Sequence, residues 1–197
     1  MKRIASTIFA VAAVCVAAAS CLKLQTNEKY EGEALDPHEY CTAWEFMQKH
    51  SDIFSNMMQA VQDCGLKEYY TQTAQTYTYI VFSDDEMAKS VAAYTADPSK
   101  KAQLADTLKF HIIKGDYHGY GTLGFMPIDV ETLLGPDYRM SMALTGHENS
   151  EYEIERIVLM RGLVDSSDEP KSDGANHLCT NGPVHVFSKK AIPVKSN

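Results

Sequence analysis

Basic residues are the scarce class of this chain. Eighteen Lys and Arg stand against 26 Asp and Glu in 197 residues, a formal charge of −8 at pH 7, which repels polyphosphate and leaves no footprint for nucleic acid. With 7 Pro, 11 Gly and 45% hydrophobic residues, the chain lacks a disorder signature and has the apolar stock for a core. Its length fits one large domain, or a domain with appendages. No Gly-x-Ser-x-Gly elbow, His-Glu-x-x-His, Cys-x-x-Cys or Gly-rich phosphate loop is present, so the usual motifs of hydrolytic, zinc, redox and nucleotide chemistry are missing. No internal repeat and no low-complexity block interrupts it.

Long apolar runs are confined to the start. Lys2 and Arg3 precede an apolar stretch over residues 4–19, too short to anchor across about 30 Å of hydrocarbon but suited to a signal-peptide core. Ala18-Ala19-Ser20-Cys21 follows and resembles a bacterial lipobox, with Ala18 where Leu is usual. On that reading residues 1–20 are a removed signal peptide and Cys21 is the acylated mature N-terminus. The protein would then be exported and held on the cell envelope as an outer-membrane lipoprotein, facing either the periplasm or the exterior. The alternative is cleavage after Ala-x-Ala by ordinary signal peptidase, which would leave Cys21 a thiol and the protein soluble. Without Lys2 and Arg3 the balance is 16 basic against 26 acidic side chains, a formal −10. Anionic headgroups would oppose attachment, so lipid alone must tether the protein to the bilayer.

Beyond Cys15 and Cys21, three cysteines remain, Cys41, Cys64 and Cys179. An odd number allows one bridge at most within the chain. A Cys41–Cys64 disulfide would stabilise by roughly 3 kcal/mol; the other reading is three buried, reduced thiols.

Residues 21–40 are mostly polar and read as a tether. Thr42 and Glu45 have capping-box spacing at the start of a helix, and Ser51 is expected to cap a second. Ile53, Met57 and Val61, with Phe54 and Met58 alongside, give that helix an apolar face ending at Gly65. Residues 77–82, Tyr-Thr-Tyr-Ile-Val-Phe, are dense in β-branched and aromatic side chains and predict a central strand. Ser83-Asp84-Asp85-Glu86 reads as a helix start with a capping box, not a metal site. Asp97-Pro98 predicts the next helix, with Pro at N1, running into Phe110-His111-Ile112-Ile113 and a turn at Gly115. Residues 127–134 are expected to form a short helix, residues 138–144 and 152–160 strands, residues 165–176 a polar loop, either a surface excursion or a recognition loop, and residues 184–187 a closing strand.

In this order the segments resemble the fasciclin, or FAS1, family. Residues 77–88 are similar to its first motif, a strand entering a helix. Leu108-Lys-Phe-His-Ile-Ile-Lys-Gly-Asp-Tyr117 is similar to its Tyr-His motif, Thr132-Leu-Leu-Gly135 to its Thr-Leu-x-Gly segment, and Thr180-Asn-Gly-Pro-Val-His-Val-Phe-Ser188 to its closing Asn-Gly-x-Ile-His-Val motif. The resemblance covers residues 41–194. Ser83-Asp84 in place of Ala-Pro, Phe110 in place of the motif Tyr, Pro183 inside the last motif and the polar loop before Asn176 mark a divergent member. Adhesive roles tied to the motif Tyr therefore do not transfer to Phe110.

The resemblance implies an α+β fold, a wedge of two β-sheets with helices packed against it. Phe82, His111, Gly115, Asn181, Gly182 and His185 are its structural motif positions. It implies no catalysis, no metal and no cofactor. Its partners would be an extracellular protein or polysaccharide or, in a second reading, the outer-membrane proteins of a nutrient (glycan) uptake assembly that the domain serves as accessory scaffold. His111 and His185 lie in apolar runs, where a hydrogen-bonded structural histidine is expected. His177 and Cys179, two apart, are the one candidate nucleophile pair, and a buried or bridged Cys179 is the commoner case. Eleven tyrosines are present; Tyr69, Tyr70, Tyr77, Tyr79, Tyr117 and Tyr120 form either an exposed aromatic patch or part of the core.

Overall fold

A computed structural model describes residues 36–138, 140–145, 156–160, 170, 172–191 and 193. The chain divides into two units, Met1–Asp36 and Pro37–Asn197; the elements below belong to the second. Cys21, the signal segment and residues 21–35 lie outside the described residues, as do most of the expected loop and strand residues between 146 and 171.

Helix α1 (Ala43–Lys49) opens with the expected capping box: the Glu45 N–H donates to Thr42 Oγ1 and the Thr42 N–H to Glu45 Oε2 at 2.8 Å. Helix α2 (Ser51–Asp63) buries Phe54, Met57, Ala60 and Val61, a stripe at i, i+3, i+6 and i+7 that turns Ile53 outward, 43% exposed. Ser51 is its first helical residue and not its cap; His50 holds that position without a side-chain hydrogen bond. Gly65 (φ +70°) ends α2, its N–H donating to Gln62 O and that of Leu66 to Val61 O, the paired closure that a left-handed residue makes possible. A short α3 (Lys67–Thr71) follows and buries Tyr70.

Strand β1 (Tyr77–Phe82) is buried at every position and central. It pairs antiparallel with β2 (Ile112–Lys114) and parallel with β7 (Gly182–Phe187), which in turn pairs with β6 (Ser172–Cys179), for a strand order β2-β1-β7-β6. The second sheet, in order β3-β4-β5, is antiparallel: β3 (Ile128–Val130), β4 (Met140–Thr145) and β5 (Arg156–Met160). Helices α4 (Asp84–Ala96) and α5 (Lys100–Phe110) connect β1 to β2. The core gathers Phe54, Tyr79, Phe82, Phe110 and Phe187 with Met47, Met57 and Met87, all fully buried. This is the two-sheet α+β arrangement that the resemblance implies.

Other local expectations are corrected as well. The Ser83–Glu86 capping box does not form, because Asp84 instead takes the Asn56 N–H at 2.7 Å and the Ser55 hydroxyl, while Glu86 pairs with Lys190 at 3.2 Å. Helix α5 starts at Lys100 and not at Pro98, since Asp97 Oδ1 draws the Ser99 N–H and hydroxyl into a turn first. Within residues 127–134 there is a strand and no helix: Ile128 and Val130 alternate with exposed Asp129 and pair in register with Met142 and Met140, so period two wins over length. Residues 172–176 are strand, not loop; β7 offers a backbone edge that polar residues can take, with register shifts at Gly174 and His177. Residues 37–40 of the expected tether also pack on the domain, through a parallel bridge from His38 to Leu178.

Candidate functional site

Of the motif residues, Phe82, His111, Asn181, Gly182 and His185 lie in the interior, and Gly115 is half-buried. Asn181, 1% exposed, occupies the β6–β7 turn. Its Oδ1 accepts the Ala43 N–H at 2.8 Å, and its Nδ2 donates to Tyr70 O and to the Tyr79 hydroxyl, both at 2.9 Å. The Tyr79 hydroxyl passes the chain on to Tyr69 O at 2.8 Å. Burial pushes the Tyr79 and Tyr70 phenols up, so both stay protonated. The Tyr70 hydroxyl is buried without a partner. Beside Asn181, Gly182 has φ +129°, and a Cβ there would fall 1.8 Å from Tyr77 O.

His111 and His185 are each bonded at both ring nitrogens. Thr107 O accepts from His111 Nδ1 at 2.7 Å while Nε2 accepts the Ala191 N–H at 3.1 Å, which fixes the tautomer; Phe82 meets the same ring edge-on at 4.8 Å. His185 Nδ1 accepts the Asn176 N–H at 3.0 Å and Nε2 donates to Tyr117 O at 2.8 Å. Burial holds both well below the ordinary imidazole value, to about 4, so both are neutral at pH 7. With no lone pair or proton to spare, neither can ligate a metal or act as a base.

His185, unlike His111, helps to place a loop. Gly115 (φ +112°) turns the chain after β2, Thr78 Oγ1 donates to Gly115 O and accepts the Tyr117 N–H, both at 2.9 Å, and His185 takes Tyr117 O. Asn176 Oδ1 then accepts the Gly119 N–H at 2.7 Å, the Leu144 N–H donates to Gly124 O at 2.8 Å, and Leu123 is buried. Held at these points, the loop of residues 118–126 shows Tyr120, between Gly119 and Gly124, and Phe125 and Met126, directly after Gly124, to solvent, 62%, 40% and 79% exposed. Aromatics and Met are the side chains enriched at recognition surfaces, and loops held on a rigid scaffold commonly carry function. Of the tyrosines named from sequence, Tyr70, Tyr77 and Tyr79 are core, Tyr69 and Tyr117 are half-buried, and Tyr120 alone is exposed. Sequence reading missed Phe125 and Met126; the signal was apolar side chains without period among Gly119, Gly121 and Gly124.

Nothing catalytic is assembled among the described residues. His177 Nδ1 lies 2.9 Å from Glu39 Oε1 and its ring packs on Phe46, while burial pushes the Cys179 thiol up. A groove of about 440 Å³ along α1 and α2 is lined by Trp44, Met58 and uncharged Gln and Ser side chains, and so offers no acid or base. Among the described residues no group of three His, Cys, Asp or Glu side chains could hold a metal ion, and no helix is long and apolar enough to cross a membrane. Cys41, Cys64 and Cys179 are free thiols. The expected Cys41–Cys64 pair is not the one the fold brings together: Cys64, at the end of α2, donates to Lys101 O on α5, whereas Cys41 O accepts the N–H of Thr180, the residue after Cys179.

Comparison with known proteins agrees with this architecture. A family model for the fasciclin domain matches residues 52–193. Among solved structures, the chain is similar to a FAS1 domain pair from the insect cell adhesion molecule fasciclin I, with a TM-score of 0.51 and 15% identity. The match covers 77% of this chain and 50% of that one, so the chain spans half the length of the pair. No curated protein matches in sequence.

Proposed function

The chain belongs to the fasciclin domain family, and on that footing we propose that it is a lipid-anchored envelope protein that binds an extracellular protein or polysaccharide through the loop of residues 118–126. Fasciclin domains are generally non-catalytic adhesion or binding modules and are typically extracellular or secreted. The observation that carries the assignment is the exposure of Tyr120, Phe125 and Met126 on a loop whose backbone is pinned at Tyr117, Gly119 and Gly124. An ordered apolar tip meets a partner without the entropic cost of ordering a free loop. Lys2-Arg3, the apolar stretch and Ala-Ala-Ser-Cys21 supply the export and anchoring part.

The test is crosslinking and pull-down of the tagged full chain from intact cells, with Cys21→Ala and the triple variant Tyr120→Ser/Phe125→Ser/Met126→Ser alongside. Wild type is expected in the membrane fraction with its partner, Cys21→Ala in the soluble fraction, and the triple variant in the membrane fraction without the partner. Membrane retention of Cys21→Ala would overturn the anchor, and undiminished capture by the triple variant would overturn the loop. Stoichiometric recovery of outer-membrane transport proteins would replace adhesion with the accessory-subunit role.

A further inference from the structure

The segment of residues 37–41 runs as a strap along the end of β6. The Leu178 N–H donates to Pro37 O at 2.8 Å, the Glu39 N–H to Leu178 O at 3.0 Å and the Thr180 N–H to Cys41 O at 2.8 Å, with His38 bridged in parallel to Leu178. The last of these bonds sets Cys41 O on the N–H of the peptide that joins Cys179 to Thr180, so the two cysteines flank one backbone hydrogen bond, and a disulfide spans roughly 4.4–6.8 Å between Cα atoms. Both cysteines are 8% exposed, and Lys49 Nζ donates to Cys41 Sγ at 3.3 Å with Cys179 also within its electrostatic reach. Cys64 has a different neighbourhood, against Lys101.

We propose that Cys41 and Cys179 form a disulfide when the protein meets an oxidising compartment, and that Cys64 stays reduced. The oxidant is a disulfide donor, such as an exported dithiol–disulfide oxidoreductase or oxidised glutathione. When the strap lifts, Cys41 loses its proton and its sulfur attacks one donor sulfur, expelling the other as a thiolate. The deprotonated sulfur of Cys179 then attacks Cys41 Sγ, forming the internal S–S bond and releasing the first donor sulfur. Two protein thiols give up two electrons and two protons, and the donor disulfide takes them up as two thiols. The bridge joins the strap, where the described domain begins, to β6, and encloses the five helices among the described residues. A loop of that size should raise the thermal midpoint by about 10 °C.

The cysteines fall on separate tryptic peptides, residues 30–49, 50–67 and 172–189, so the full chain can be mapped directly. After treatment with excess oxidised glutathione, alkylation of free thiols and non-reducing digestion, mass spectrometry should show peptide 30–49 joined to 172–189 and Cys64 alkylated. Reduction should lower the thermal midpoint of wild type and Cys64→Ser alike, and leave that of Cys179→Ser unchanged. Alkylation of both Cys41 and Cys179, or any link through Cys64, would overturn the proposal. The mapping uses wild-type protein, so its outcome does not depend on a variant folding, and it does not depend on loop binding.

Discussion

The side-chain amide of Asn181 joins α1, the end of α3 and β1 with three hydrogen bonds. Asn181→Ala would strand the Ala43 N–H and Tyr70 O in the interior, and should cost roughly 3 kcal/mol or more in urea unfolding, because buried polar groups lose water without gaining a partner. Tyr70→Phe removes a hydroxyl that bonds to nothing and should be neutral or stabilising within about 1 kcal/mol; a larger loss would show that the hydroxyl is engaged. His111 and His185 set the response to pH. Their folded pKa of about 4 lies below the unfolded value of about 6.5. The unfolded chain therefore binds more protons between those values, and the stabilisation is complete above about pH 6.5 and lost as pH falls toward 4. Each histidine accounts for roughly 3 kcal/mol over that window. Unfolding free energy should decline from pH 6.5 to 5 with a slope approaching two protons, and His185→Gln should reduce that slope; flat stability would contradict the buried, neutral assignment. That these histidines are structural was legible from their apolar surroundings. Their partners, Thr107 and Tyr117, were not, since sequence does not reveal which backbone carbonyl a ring will meet.

Two glycines separate conformation from crowding at the level of the element. Gly65 (φ +70°) ends α2 with open space around a built Cβ, whereas at Gly182 (φ +129°) a Cβ would collide with Tyr77 O between β1 and β7. Gly65→Ala should therefore cost about 1 kcal/mol, the left-handed penalty alone. Gly182→Ala should cost several times that, or abolish folding, because the central pairing must open; thermal melts of the two variants decide this. Comparable losses would mean that the strands give way easily. Local signals were readable where they were self-contained: the Thr42–Glu45 box, the Gly65 stop and the dense β1 run. They failed where a neighbour decides. Asp84 serves α2 instead of its own helix, and Ser172 to Asn176 become strand because β7 supplies an edge, a tertiary effect with no local trace.

Among the described residues, the packed domain displays the loop of residues 118–126. Its motif residues other than Gly115 are spent on the interior, its described cavities hold no metal-binding cluster, and among the described residues the exposed large apolar side chains concentrate at Tyr120, Phe125 and Met126, with Tyr40 and Ile53 elsewhere. The family and its two-sheet fold were legible from four motifs in order, whereas the loop was not, because a displayed side chain has no periodicity to betray it. Replacement of Tyr120, Phe125 and Met126 by Ser should leave the thermal midpoint within a few degrees of wild type, since exposed side chains contribute little to stability; a large drop would mean the loop belongs to the core. The most direct measurement of the binding claim places a photo-crosslinking side chain at position 126 of the anchored full chain on intact cells, with position 53 as the exposed comparison. The account predicts capture of a distinct protein or polysaccharide from 126 and not from 53. Capture from 53 alone, or none from 126, would contradict it.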